Sequence, residues 1–290
     1  MGRGRALYFP AMANLPPLPR VTAMRYVQPL REGGSLPAVV ETDDGLYVVK
    51  FRGAGQGPRA LVAELLVGLL ASLLDLPVPA LALVHLPPPF GRSEPDPEIQ
   101  DVLRRSHGLN VGLRYLDGAF NFHCAAAPDV VTPDFAARLV WLDALVTNPD
   151  RTHRNPNLLV WRRRPWLIDH GAALYAHHDW PNVTPEKARS PFAHIERHVL
   201  LAHSDRIEAA DATLAASVGD EALRAVTEAV PDELLTGPEY ATDARPEELR
   251  ARYRDYLGTR LRAPRPFLAE AVEARERLRR LPPLPQSARR

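Results

Sequence analysis

The sequence predicts an α+β chain in two lobes, a small antiparallel-sheet lobe with one buried helix and then a mainly helical lobe. Three observations carry this. From Met24 to Leu116, short runs of alternating apolar residues are broken by turns rich in Gly and Asp, the pattern of strands. One run, Ala60 to Leu74, is apolar around most of its circumference, as a buried helix is. After Gly118 apolar residues recur at spacings of three and four, which is helical. Residues 1–23, rich in Pro and Arg, read as a tail, 24–117 as the first lobe and 118–290 as the second.

Taken in order, Met24 to Leu30 reads as a strand, Leu36 to Thr42 as a second and Leu46 to Phe51 as a third, joined through Gly33-Gly34-Ser35 and Asp44-Gly45. Two tight turns between three strands make an antiparallel meander. The small residues Gly33, Gly34 and Ser35 would let backbone N–H groups approach a phosphate closely, though a plain hairpin turn looks the same. Leu46, Val48 and Lys50 alternate and so share one face of the third strand. Glu64 is the only charged residue of the apolar run before Asp75. A carboxylate buried there requires a cation, and Lys50 is the nearest in sequence. Pro77 and Pro79 end the helix, and Ala80 to Leu86 is a further strand. Pro87 to Asp101 reads as a polar, Pro-rich loop that packs nowhere inside. Leu109 to Leu116 is the last strand of the lobe, and backbone groups near Arg114, Tyr115 and Leu116 would form a hinge able to meet an adenine. Helices are expected at Phe135 to Thr147, ended by Pro149, and at Ser190 to His203, Asp205 to Ser217, Asp220 to Val230, Pro246 to Arg262 and Pro266 to Leu281.

A net charge of +1 gives no electrostatic footprint for nucleic acid. The single cysteine, Cys124, excludes an intramolecular disulfide framework. No stretch approaches the ~20 apolar residues of a membrane span, and the N-terminus lacks the apolar core of a signal peptide, so the expected compartment is the cytoplasm. Only two of the 36 basic residues are lysines, Lys50 and Lys187. A lysine kept in an apolar strand by a chain that otherwise uses arginine suits a task for a compact point charge.

The chemistry gathers between Trp141 and Ala173. Asp150 opens a loop, Asn155 follows five residues later, and Asp169 stands at the mouth of a short hairpin whose two arms are split by Arg162, Arg163 and Arg164. Gly171, two residues on, offers backbone freedom. A loop acid, a loop amide and a strand-end acid converging on one side are what phosphoryl transfer uses: a base for the hydroxyl proton, and two oxygen ligands for magnesium. Asp150 and Asn155 are also ordinary turn formers, and the spacing alone does not choose. His170, His177 and His178 lack a spacing that sets three metal ligands on one regular element.

NPDRTHRNPNLLV followed by LIDHG resembles the HipA-like kinases, over roughly Val27 to Leu174. The resemblance implies a protein-kinase-like fold and an ATP- and Mg2+-dependent enzyme that phosphorylates Ser or Thr of a protein. It implies Asp150 as base, Asn155 and Asp169 as Mg2+ ligands, and Lys50 on the nucleotide phosphates with Glu64 orienting it; Gly33, Gly34 and Ser35, only loosely like the family's phosphate loop, and the hinge at Tyr115 and Leu116, placed by strand order alone, complete the site expected around ATP. His153 falls one position later than in the family's usual Asp-Arg-His, and too few residues precede Met24 for the extra subdomain of the longer toxin members, which argues against an antitoxin-type partner. Phosphoinositide kinases share the Asp-Arg-His-x-x-Asn loop, so a lipid or small-molecule hydroxyl is the alternative acceptor. A nucleotide-binding pseudokinase or scaffold is a second alternative, opposed by five chemically competent positions.

Overall fold

The computed structural model describes residues 15, 18–30, 36–55, 57–92, 94–237, 240 and 244–280. Strand β1 (Arg20–Pro29) begins inside the stretch read from sequence as a tail. It pairs antiparallel with β2 (Ala38–Thr42), which pairs antiparallel with β3 (Gly45–Lys50), so the meander forms as expected. The 16-residue α1 (Pro58–Leu73) is buried on every side from Leu61 to Ala71, matching its all-round apolar sequence. β4 (Leu81–Leu86), α2 (Pro97–Arg105) and β5 (Gly108–Arg114) follow.

The sheet, expected from sequence to be antiparallel, closes into a barrel in the order β1-β2-β3-β5-β4. Its seam is a parallel pairing of Arg20–Thr22 with Leu83–His85, made possible because β1 extends upstream of Met24. Register shifts between Ala23 and Arg25 and between Tyr26 and Gln28 bend β1 so that one strand serves both neighbours. Tyr47, Val49, Val40 and Val84 fill the interior. Gly112 is required there, since a Cβ would stand 2.7 Å from the Val84 side chain.

A second correction concerns the Pro-rich segment expected to stay outside the core. Asp96 accepts from the backbone N–H of Glu98 and Ile99, Pro97 takes the first helical position, and α2 buries Ile99, Val102 and Leu103 against the barrel interior.

Beyond β5 lie β6 (Phe120–Asn121), the one-turn α3 (Ala127–Val130), α4 (Pro133–Leu145), and the hairpin β7 (Leu158–Trp161) and β8 (Arg164–Leu167), with β6, β7 and β8 forming a small antiparallel sheet. The one-turn α5 (Pro185–Ala188) precedes α6 (Ile207–Ser217), α7 (Asp220–Glu228), α8 (Pro246–Leu261) and α9 (Pro266–Arg280). The helix expected over Ser190 to His203 is instead two short 3-10 turns, Ala193–Arg197 and Leu201–His203, with His198 extended between them. α1, the outward faces of β4 and β5, and the later helices share one continuous core, separate from the barrel interior.

Candidate active site

With Tyr47 and Val49 inside the barrel, alternation turns Lys50 outward against α1. Lys50 is 7% exposed and Glu64, on α1, is 0% exposed. The Lys50 ammonium donates to Glu64 Oε2 at 2.7 Å and to Asp169 Oδ1 at 2.6 Å. Glu64 Oε2 also accepts the His170 backbone N–H at 2.7 Å. One carboxylate oxygen therefore ties the strand lysine to the segment that carries Asp169. Burial would depress the Lys50 pKa, but Glu64 and Asp169 outweigh it and hold the ammonium charged above its ordinary range. Burial would likewise raise Asp169, and the Lys50 charge reverses that, keeping the carboxyl below the usual range. The left-handed backbone falls on Asp169 itself, φ 56°, not on Gly171, where a Cβ would meet Ala60 of α1 at an ordinary contact distance of 3.4 Å.

Thr132 caps the start of α4 by accepting from Phe135 N–H. The helix stops at Leu145, before the expected Thr147, and Thr147 turns to φ 53°. Its end is set from α8: buried Arg260 donates through Nε to Leu145 O at 2.7 Å and through Nη2 to Ala144 O at 2.8 Å, satisfying orphan carbonyls at the negative end of the helix. Asn148 then bonds back to Asp143 through both backbone (2.9 Å) and side chain (3.0 Å), and its Oδ1 receives the Asp150 N–H at 3.1 Å.

Asp143, fully buried on α4, accepts from Arg151 Nε at 2.6 Å and His198 Nε2 at 2.9 Å. The Leu200 N–H donates to His198 Nδ1 at 3.0 Å, which leaves the ring proton on Nε2. Burial would raise the Asp143 carboxyl, but Arg151 and His198 hold it far below the usual range. Arg151 continues to the Asn157 carbonyl, to Ile168 O at 3.4 Å and to His170 Nδ1 at 3.2 Å. The residue after Asp150 thus grips the residues on both sides of Asp169.

Asp150 itself is half-buried, and its Oδ2 accepts from Asn155 Nδ2 at 2.8 Å and Asn157 Nδ2 at 3.1 Å. Two amides on one oxygen fix the carboxylate and leave Oδ1 without a hydrogen bond among the described residues. The Asn157 carbonyl also accepts Ile168 N–H at 3.1 Å, so this residue joins the loop to the Asp169 arm.

Of the residues expected from sequence, Lys50, Glu64 and Asp169 are in direct contact, Asp150 and Asn155 are in direct contact, and Arg151 links the two sets. Gly33, Gly34 and Ser35 lie outside the described residues. Tyr115 and Leu116 follow β5 half-buried, and the N–H groups of Arg114 and Tyr115 are taken by Ala80 O and Leu46 O, so the expected hinge cannot use those two donors for adenine. Asp143, Arg151, Asn157, His198 and Arg260 were missed. Asp143 carried the same signal as Glu64, a lone acid in an apolar helical stretch.

Three buried histidines, His170 and His198 in this network and His177 apart from it against Tyr253, give the fold an acid limit. Burial takes His170 down to about 4, against opposing pull from Glu64, and lowers His177 and His198 as well. A histidine with a folded pKa below its unfolded value of about 6.5 costs nothing above that pH. As pH falls from there toward the folded value, the unfolded chain takes up protons first and stability is lost. The expected loss from His170 alone is on the order of 2 kcal/mol between about pH 7 and pH 5. Urea unfolding midpoints at the two pH values check it, and equal midpoints would contradict it.

A lysine at the end of a barrel strand, clamped to a helix glutamate and to an acid that Arg151 ties to the loop of a second acid, defines the class as a kinase, and the chain belongs to the HipA-like kinase family, whose sequence profile matches residues 24–252. The match runs past Leu174 into α8. Among solved structures the chain is similar to the Helicobacter pylori proinflammatory kinase CtkA, with a TM-score of 0.53 and 11% identity over 91% of this chain and 100% of that one, a likeness of fold alone. The chain matches no curated protein.

Proposed function

We propose that the chain uses ATP and Mg2+ to transfer the γ-phosphoryl group to a hydroxyl of Ser or Thr in a protein. The observation that carries this reading is the double contact of Lys50 with Glu64 and Asp169, bound through Arg151 to the Asp150 loop. In this reading Lys50 binds nucleotide phosphates and Glu64 holds it. Asp150 Oδ1 takes the acceptor's hydroxyl proton. Asn155 and Asp169 hold the metal, and Mg2+ when bound neutralises charge on the phosphates.

The donor set fits that ion. Asn155 gives its amide nitrogen to Asp150, which leaves the amide oxygen for a cation, and Asp169 gives only Oδ1 to Lys50. One amide and one carboxylate are hard oxygen donors, the few-ligand pattern of Mg2+ carried in on phosphates. Among the described residues no group of three or more His, Cys, Asp or Glu is placed to hold a metal. The division near Gly118 into a nucleotide-covering and a helical lobe, and a cytoplasmic setting, belong to the same reading. No described helix is long and apolar enough to cross a membrane.

Incubation of cell extract with the enzyme and γ-labelled ATP, followed by separation of protein from lipid, tests the acceptor. Label in the protein fraction on Ser or Thr is expected; label confined to lipid would reassign the enzyme to the phosphoinositide alternative. Asn157 offers a finer test. It sits at φ 48°, which glycine adopts freely, so Asn157→Gly removes the side chain and spares the backbone. The expected result is a kcat lower by about 10- to 100-fold with KM for ATP unchanged, because the base is misplaced while the nucleotide's contacts stay. An unchanged kcat would show that Asn155 alone positions Asp150.

A further inference from the structure

The β7–β8 hairpin ends in Arg162, Arg163 and Arg164, all exposed, and the site makes no use of them. Trp161 pairs with Arg164, so Arg162 and Arg163 form a two-residue turn, and both have positive φ, 50° and 62°. Two successive positive φ values suit Asn-Gly, which adopts them with little strain, whereas a side chain such as arginine is strained there. Arginine at both positions therefore serves through its side chain, at the expense of the turn.

The three side chains are also set apart, among the described residues, by being consecutive and all without an ion pair. Other adjacent arginines are neutralised, Arg104 and Arg105 by Asp101 and Arg279 by Glu276, and exposed arginines without an ion pair, such as Arg224 and Arg252, stand singly in the sequence. Among the described residues none of Arg162, Arg163 or Arg164 is in an ion pair, and the Arg162 guanidinium lies 4.1 Å over the Trp161 ring, which holds it in place. Trp161 is fixed in turn by its Nε1 bond to Asp117 O at 2.8 Å and by edge contact with Trp166 at 5.2 Å. The result is a tryptophan-braced tip that carries three guanidinium groups without ion pairs, roughly 16 Å along the strand from Asn157.

We propose that this hairpin tip docks an acidic polypeptide segment of a protein partner. Guanidinium groups bind carboxylates in paired hydrogen bonds, and a row of three fits a run of Asp or Glu. A membrane surface fits less well: the tip's tryptophans are packed on each other and under Arg162, and the exposed Phe120 sits on β6 opposite Val160, below the crest. Docking so far from Asp150 leaves the acceptor hydroxyl free to reach the site and deepens the reading of the acceptor as a protein, on which it rests. Its test needs no turnover, so its failure is distinct from failure of the transfer chemistry.

Fluorescence anisotropy with a labelled oligo-aspartate peptide compares the full chain with R162N/R163G and with R224N/R252N, which removes the same charge from exposed sites elsewhere. Wild type is expected to bind, more weakly at about 200 mM than at about 50 mM salt. R162N/R163G is expected to weaken binding at least about tenfold, against less than about twofold for the control pair. It should also melt higher, since the substitutions relieve two strained residues. Equal weakening in both variants, or no peptide binding by wild type, would overturn the proposal. So would a lower melting temperature in R162N/R163G, or binding of phosphatidylserine-containing vesicles in place of the peptide.

Discussion

Asp150→Ala is expected to lower the rate of phosphoryl transfer by about 10²- to 10⁴-fold, the range for loss of a positioned general base. The fold should be nearly untouched. Asp150 is half-buried and sits on a loop held by contacts it does not make itself: Arg151 to the fully buried Asp143, Val199 N–H to Arg151 O, and Asn148 back to Asp143. Removing the carboxylate frees the amides of Asn155 and Asn157, both able to turn to water or to each other. A stability change within about 1 kcal/mol is therefore expected. Single-turnover transfer from labelled ATP, with urea unfolding as control, measures both; near-wild-type turnover would remove Asp150 from the role of base.

Lys50→Ala is expected to do the reverse of sparing the fold. Transfer should fall by about 10²- to 10³-fold, as when one preorganised donor is removed at a developing charge. In addition, Glu64, 0% exposed, is left as an unpaired buried carboxylate, which costs on the order of 3 kcal/mol. The double variant Lys50→Met with Glu64→Gln should regain most of the stability and none of the activity. Recovery of activity in the double variant, or no stability loss in Lys50→Ala, would contradict the clamp.

Much of the site was legible because its signals are local. A lysine alternating outward from an apolar strand, a lone glutamate in an apolar helix and Asp-x-x-x-x-Asn each declare themselves within a few residues, and the structure joins Lys50 to Glu64 as the charge argument required. The barrel was not legible, because alternation assigns residues to faces and says nothing about partners; the parallel seam joins Arg20–Thr22 to Leu83–His85, some 60 residues away. α2 was hidden by its polar, proline-rich surroundings although Asp96-Pro97-Glu98 is a helix start. The Ser190 to His203 segment has helical spacing, but its place is decided by distant contacts: Val199 N–H meets Arg151 O and His198 meets Asp143, which an unbroken helix could not supply. Asp143 could have been found by the reasoning applied to Glu64, whereas Asn157 merely opens the first arm of the hairpin and carries no signal of its own.

The most direct measurement is the thermal shift given by ATP with and without Mg2+ in wild type, Lys50→Met and Asp169→Ala. Wild type should melt higher with ATP and higher again when Mg2+ is added. Asp169→Ala should lose the Mg2+ increment, and Lys50→Met should lose most of the response to ATP itself. An identical response in all three would mean that the clamp of Lys50, Glu64 and Asp169 holds no nucleotide.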